Sequence, residues 1–225
     1  MIPRKEIRLF ETELNGKLIK YRPWKTKEEK EYLVLSEIED EMPLEKLYNA
    51  MVLPCLENPE IELSSIEKEV LMVKIRQKSV GESIEFSYKC VNEECNKVAE
   101  SEIQIEDMYQ YTPSLLDSVT FDEITVTFKK TIPDDTNEYN AKEQLFMEFV
   151  NAVESITIDN EVYKDFTLAE IADYFDDMEA MDFDKFYGYY HENKESILYY
   201  AEAECLFCGT LQNINIDQIP NFFPW

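Results

Sequence analysis

The sequence predicts an α+β protein, and three observations carry that expectation. Short period-two runs with asparagine- and aspartate-bearing turns are interspersed with longer runs at helical spacing, which gives hairpins mixed with helices rather than a repeated βαβ unit. Two cysteine pairs, Cys90 with Cys95 and Cys205 with Cys208, fall at the tips of period-two runs. Of 225 residues, 44% are hydrophobic and 13% aromatic, enough to bury a core despite a formal net charge of −26.

Taken in order, Ile7 to Trp24 alternates around Leu14-Asn15-Gly16-Lys17, and Asn-Gly between two extended runs predicts a β-hairpin because both central residues need positive φ. Thr26-Lys-Glu-Glu29 has the form of a capping box, so a helix is expected from about 27 to 39. Asp40-Glu-Met-Pro43 opens a second helix towards Pro54. Ser64-Ser-Ile-Glu67 is another box, followed by Ile66, Val70, Val73 and Gln77 at 3.6 spacing, with Leu71 and Ile75 widening the stripe and Gly81 as the stop.

From Ser83 to Ile105 the period changes to two, through Ile84, Phe86, Tyr88, Val98 and Ile103, with Cys90 to Cys95 as the tip. A connector over 109–118, containing Tyr and Pro, leads to one β segment, Phe121–Phe128, and Pro133-Asp-Asp-Thr-Asn punctuates it. Ala141 to Glu154 carries Leu145, Phe146, Phe149, Val150 and Val153 on one helical face, and Ile156 to Tyr163 reads as a short hairpin about Asp159-Asn160. Thr167-Leu-Ala-Glu170 is a third box opening a helix to about 178, and an aromatic helix runs from Asp182 to Asn193. Ile197 to Cys205 is extended, a strand follows through Ile214 and Ile216, and the chain closes on Ile219-Pro-Asn-Phe-Phe-Pro-Trp225. These elements group as an N-terminal hairpin with three helices (1–82), a β region with the first Cys pair (83–130), an inserted, mainly helical region (131–195), and a β hairpin with the second Cys pair and an aromatic C-terminus (196–225).

The charge sets 48 Asp+Glu against 22 Lys+Arg, a field that disfavours nucleic acid and anionic lipid, whose affinity comes mainly from basic side chains meeting phosphates. The first ten residues lack an apolar signal core and no apolar run approaches a membrane span, so neither secretion by that route nor a membrane span is expected. Four glycines leave no GxGxxG and no GxxxxGK[ST], which argues against the common nucleotide enzymes.

Five cysteines in a chain without an export signal read as reduced thiols or metal ligands before disulfides. Cys205-Leu-Phe-Cys208-Gly209 has the shape of a zinc knuckle, whose turn sets both thiolates on one side. Alone it is half a tetrahedral site. Cys90 and Cys95 have spacing suited to the other half, which predicts a structural Zn2+ held by Cys90, Cys95, Cys205 and Cys208 in a zinc-ribbon-like arrangement of two distant hairpins. Plain reduced thiols and a redox CxxC are the alternatives, the latter without a thioredoxin-like βαβ setting. The two Cys segments also share a plan of strand, Cys pair, strand, acidic residue, apolar residue, too short to establish duplication.

Other chemistry-bearing residues read as structural. Cys55 beside Pro54 is a packed small residue. The acids Asp173, Asp176, Asp177, Glu179, Asp182 and Asp184 lack the EF-hand order. His191 is the only histidine and ends an aromatic helix, so no catalytic residue is assigned and the chain reads as non-enzymatic. Phe175, Phe183, Phe186, Tyr187 and Tyr190 form a core or contact stripe without the basic interleaving of a base-stacking platform. Lys74, Arg76 and Lys78 suggest a local basic patch that pairs with neighbouring carboxylates or with a partner, and the aromatic terminus either docks on its own domain or enters a partner.

Several segments together resemble the baseplate hub assembly family of T-even-type contractile-tailed bacteriophages: Lys17-Leu-Ile-Lys-Tyr-Arg-Pro-Trp24 followed by Lys27-Glu-Glu-Lys30, Leu71-Met-Val-Lys-Ile-Arg-Gln-Lys-Ser-Val-Gly-Glu82, and Ile216-Asp-Gln-Ile-Pro-Asn-Phe-Phe223. The resemblance implies a morphogenesis protein, hub component or assembly chaperone, whose partners are phage baseplate hub proteins. It implies action in the host cytoplasm during assembly, or a place in the virion tail baseplate. The rival reading from a different class is an acidic DNA mimic or zinc-ribbon regulator of a host nucleic-acid enzyme.

Overall fold

The structure, a computed structural model, describes residues 7–38, 44–130, 132 and 141–214. In chain order it holds β1 (Phe10–Leu14), β2 (Lys17–Tyr21), α1 (Thr26–Ile38), α2 (Leu44–Met51), α3 (Ser65–Val80), β3 (Ser83–Lys89), β4 (Val98–Gln104), β5 (Tyr109–Thr112), β6 (Ser118–Phe121), β7 (Ile124–Phe128), α4 (Ala141–Ala152), β8 (Val153–Ile158), β9 (Glu161–Tyr163), α5 (Leu168–Asp176), α6 (Ala180–Asn193), β10 (Ser196–Tyr199), β11 (Glu202–Glu204) and β12 (Leu211–Asn213). The protein is α+β, with four two-stranded sheets and one four-stranded sheet in the order β6-β7-β8-β9 among the described residues. The expectations for residues 39–43, Pro133–Asn137, Ile216 and the terminus Ile219–Trp225 lie outside the described residues.

The chain forms two compact units, one from the described residues of Met1–Ile61, Glu67–Tyr111 and Ile197–Trp225, the other from Glu62–Ile66 and Thr112–Ser196. The first is therefore discontinuous in sequence, with its closing strands supplied by residues that follow the second along the chain.

In the first unit the N-terminal hairpin turns at Asn15 (φ 46°) and Gly16 (φ 73°), a left-handed pair whose twist suits two antiparallel strands. Its turn is tied to α3, since Lys17 Nζ lies 2.9 and 3.0 Å from the fully buried Glu67 carboxylate and Asn15 Nδ2 donates to Glu67 Oε1 at 3.2 Å. Glu67 is thus held by an opposite charge inside the protein. Helix α3 buries Val70, Leu71, Met72, Val73, Ile75, Arg76 and Gln77, more than a single stripe, so it runs through the unit rather than along its surface. Gly81, at φ 149°, adopts a backbone that side-chain-bearing residues rarely take, and ends it. Its carbonyl accepts from Arg76 Nη1 at 2.9 Å.

Helix α1 starts at Thr26 as expected, but Glu28 rather than Glu29 reaches back, accepting from the Lys25 amide at 2.7 Å. The reason is tertiary: the buried Glu28 carboxylate also meets Arg22 Nη2 at 2.8 Å and Nη1 at 3.3 Å. Arg22 donates as well to the carbonyls of Pro54 (2.7 Å) and Pro23 (2.9 Å), which links β2, α1 and the turn at Leu53–Cys55. Of the basic residues, Lys78 pairs with the neighbouring Glu82 carboxylate at 2.7 Å, while Arg76 is buried.

Val73 joins Ile84, Phe86, Tyr88, Ala99, Ile105, Met108, Ala201, Ala203 and Ile214 in one buried cluster. Residues i, i+2 and i+4 of β3 face inward together because strand side chains alternate. The connector expected at 109–118 contains β5, which pairs with β10.

In the second unit, the single β segment expected at Phe121–Phe128 is a hairpin: β6 and β7 pair Ser118↔Thr127 to Phe121↔Ile124, turning at Asp122 (φ 52°) and Glu123. The second expected hairpin turns at Asp159 (φ 50°) and Asn160 (φ 66°) as the sequence predicts. Helix α4 ends at Ala152, and Val153 begins β8 directly instead of continuing the helical face, from which Leu145 also departs by being exposed. The Thr167–Glu170 capping box is present in both directions. Phe149 is fully buried, with Phe128, Phe175, Phe183, Tyr187 and Tyr190 around it at ring-centroid distances of 4.8–5.8 Å and mostly edge-on. The three helices of this unit therefore share an aromatic core with the four-stranded sheet.

Candidate metal centre

Two hairpin ends in the first unit carry the paired cysteines. At the end of β3 the Cys90 amide donates to Lys97 O (2.9 Å), and within the tip the Cys95 and Asn96 amides donate to Asn92 O (3.0 and 2.8 Å), with Asn96 at φ 46°. After β11 the equivalent bond runs from the Cys205 amide to Thr210 O (2.9 Å), and Gly209, at φ 72°, returns its amide to Cys205 O (2.8 Å). The shared plan of the two sequence segments is thus a shared tip geometry. Glycine is favoured at 209 by its left-handed φ rather than by space, since a Cβ there would meet nothing closer than Glu204 Oε1 at 3.6 Å.

Side chains stitch the tips together. Gln212 accepts from the Val91 amide (2.9 Å) and donates to Lys89 O (3.0 Å), Tyr88 Oη donates to Glu204 O (2.9 Å), and Asn92 Nδ2 is 3.4 Å from Thr210 Oγ1. The sequence signal for Gln212 and Thr210 was only their position after the second Cys pair.

The result brings all four expected ligands together: the sulfurs of Cys90, Cys95, Cys205 and Cys208 lie within 4.8 Å of one another. Cys90 Sγ is 3.6 Å from Cys208 Sγ and Cys95 Sγ is 3.8 Å from Cys205 Sγ. A disulfide needs about 2.05 Å, so neither pair is bonded. Four sulfurs around a tetrahedral ion at a metal–sulfur distance of about 2.3 Å stand about 3.8 Å apart, which matches both pairs. The donor set is all sulfur, which suits zinc or iron and not magnesium or calcium. Among the described residues this is the one group of three or more Cys, His, Asp or Glu side chains placed to share an ion.

The thiols differ in environment. Burial pushes Cys90 up to about 12. The exposed Cys208 is drawn down to about 6 by hydrogen bonding with the Thr210 side chain, whose Oγ1 is 3.2 Å away, and with the Thr210 amide. At Cys95 the Lys97 amide lowers the value, but burial and the neighbouring thiols of Cys208 and Cys205 outweigh it and the net shift is upward. Four thiols crowded this closely cannot all ionise without a cation between them.

The remaining candidates are structural. Cys55 is buried in the turn after α2, and burial raises its thiol to about 11. His191 lies edge-on to Tyr187 and Tyr190 at 4.3 and 5.3 Å, its pKa lowered by burial and by Lys194. Phe175, Phe186 and Tyr190 of the aromatic stripe are core. No helix among the described residues is long and apolar enough to cross a membrane.

No curated protein and no solved structure matches the chain. The family model described as T4 bacteriophage base plate protein matches residues 5–224. With nearly its whole length matched, the chain belongs to the T4 bacteriophage base plate protein family.

Proposed function

We propose that this baseplate-family protein is a non-enzymatic morphogenesis factor of the central hub, a hub component or assembly chaperone acting through protein–protein contacts in the infected cell, and that a structural zinc ion pins its two Cys tips. The family match over residues 5–224 supports the baseplate role. The sulfur cluster supports the metal, since its spacing and donor type suit zinc and its position joins strands from both ends of a discontinuous unit.

The test is co-purification from infected cells with the tagged chain. Hub proteins of the same phage are expected in the eluate. Recovery of host DNA-binding enzymes in place of phage tail proteins would favour the DNA-mimic class and overturn the hub reading.

A further inference from the structure

The two residues between the knuckle cysteines are apolar and face solvent: Leu206 is 79% and Phe207 56% exposed. Val91, which follows Cys90, is also exposed, as are Val98 and Leu211, the first strand residues after each Cys pair. Single exposed hydrophobic residues are ordinary, whereas Leu206 and Phe207 stand side by side at a tip tied down by hydrogen bonds, with three more at the ends of the same two hairpins. The knob is held in shape before anything binds, because the Gly209 amide closes its turn and Lys97 Nζ stands 4.6 Å over the Phe207 ring. A pre-ordered apolar knob loses little conformational freedom on docking, which is the usual property of an interface anchor.

The surrounding charge selects the partner. Glu93, Glu94, Glu100, Glu202 and Glu204 are all exposed near the same end, against Lys89 and Lys97. A second copy would bring the same acidic rim and a net charge of −26 against itself, and anionic lipid or nucleic acid would be repelled in the same way. We propose that the Leu206–Phe207 knob is the docking face for another baseplate protein that offers an apolar pocket rimmed by lysine and arginine. This rests on the baseplate reading above, which supplies the class of partner.

The experiment measures binding of the full zinc-loaded chain to each of the other baseplate proteins of the same phage, purified singly, at low and high salt. One of them is expected to bind, more weakly at high salt, and Leu206→Ser/Phe207→Ser is expected to weaken it about 30-fold or more. Val162→Ser, at an exposed apolar residue of the second unit, is expected to bind as wild type. Should the double variant fail to fold, Glu93→Lys/Glu94→Lys probes the same face from exposed loop positions, and loss of the salt-sensitive part of binding is expected. Binding by the knob and rim variants within twofold of wild type overturns the docking face while leaving the baseplate role standing. A wild type that pairs with itself through the knob also overturns it. A wild type that no baseplate protein binds overturns the baseplate reading and the docking face together.

Discussion

Cys90 Sγ lies 3.6 Å from Cys208 Sγ although 118 positions separate them, and nearly all of the second compact unit is encoded in between. The first unit can close only after both tips exist, and the zinc ion proposed above would join strands whose loop-closure entropy is otherwise unfavourable. On that proposal, treatment with a strong chelator is expected to open residues 90–97 and 205–210 first. Hydrogen exchange should show lost protection there and at β11–β12, with the amides of α4 and α6 unchanged. Equal protection before and after chelation would contradict a metal clamp.

The Arg22–Glu28 pair gives a pH dependence. Burial alone would raise the Glu28 carboxyl, but hydrogen bonds from the Arg22 side chain, the Lys25 amide and Lys27 outweigh it and hold the value below the usual carboxylate range. A lowered folded value means the stabilisation is present above the unfolded carboxyl pKa and is lost as pH falls through the folded one. Stability should thus decline on the acid side of about pH 4, the unfolded value. Glu28→Gln should remove that part of the acid limb and cost about 3–5 kcal/mol near neutral pH, because Arg22 is left buried without its counter-charge. Urea unfolding across pH measures both.

Phe149→Ala is expected to destabilise the second unit by about 3–5 kcal/mol, since five ring neighbours lose their central contact and a cavity is left among them. Phe149→Leu should cost less. The shift in denaturant midpoint, followed by aromatic circular dichroism, gives the comparison.

Two glycines should respond with opposite signs. Gly188 lies inside α6 with nothing within 4 Å of an added Cβ, so Gly188→Ala should stabilise by about 0.5–1 kcal/mol. Gly16 is equally open but sits at φ +73°, so Gly16→Ala should destabilise by about 1 kcal/mol or more. Thermal unfolding of the two variants beside wild type distinguishes space from backbone conformation as the controlling quantity.

What was legible in the sequence was local. Asn15-Gly16 and Asp159-Asn160 turn where they must because those residue types tolerate left-handed φ, and the Thr167–Glu170 box needs only residues three apart. The β6–β7 turn was missed because only Asp122 of its Asp122-Glu123 pair is a residue type that favours left-handed φ, whereas Asp159-Asn160 offers two. Strand β5 was missed because four residues give too little period and its partner β10 lies far along the chain. Glu28 displaced Glu29 at the start of α1 because Arg22 fixed its position from outside the helix. The four cysteines were readable from spacing alone, while the apolar knob between two of them became meaningful only once its exposure was seen.

The most direct measurement is elemental analysis of the purified chain beside Cys205→Ser. About one zinc per wild-type chain, with loss or marked weakening in the variant, is the expected result. A wild type that is folded, fully reduced and free of zinc and iron would contradict the four-cysteine centre.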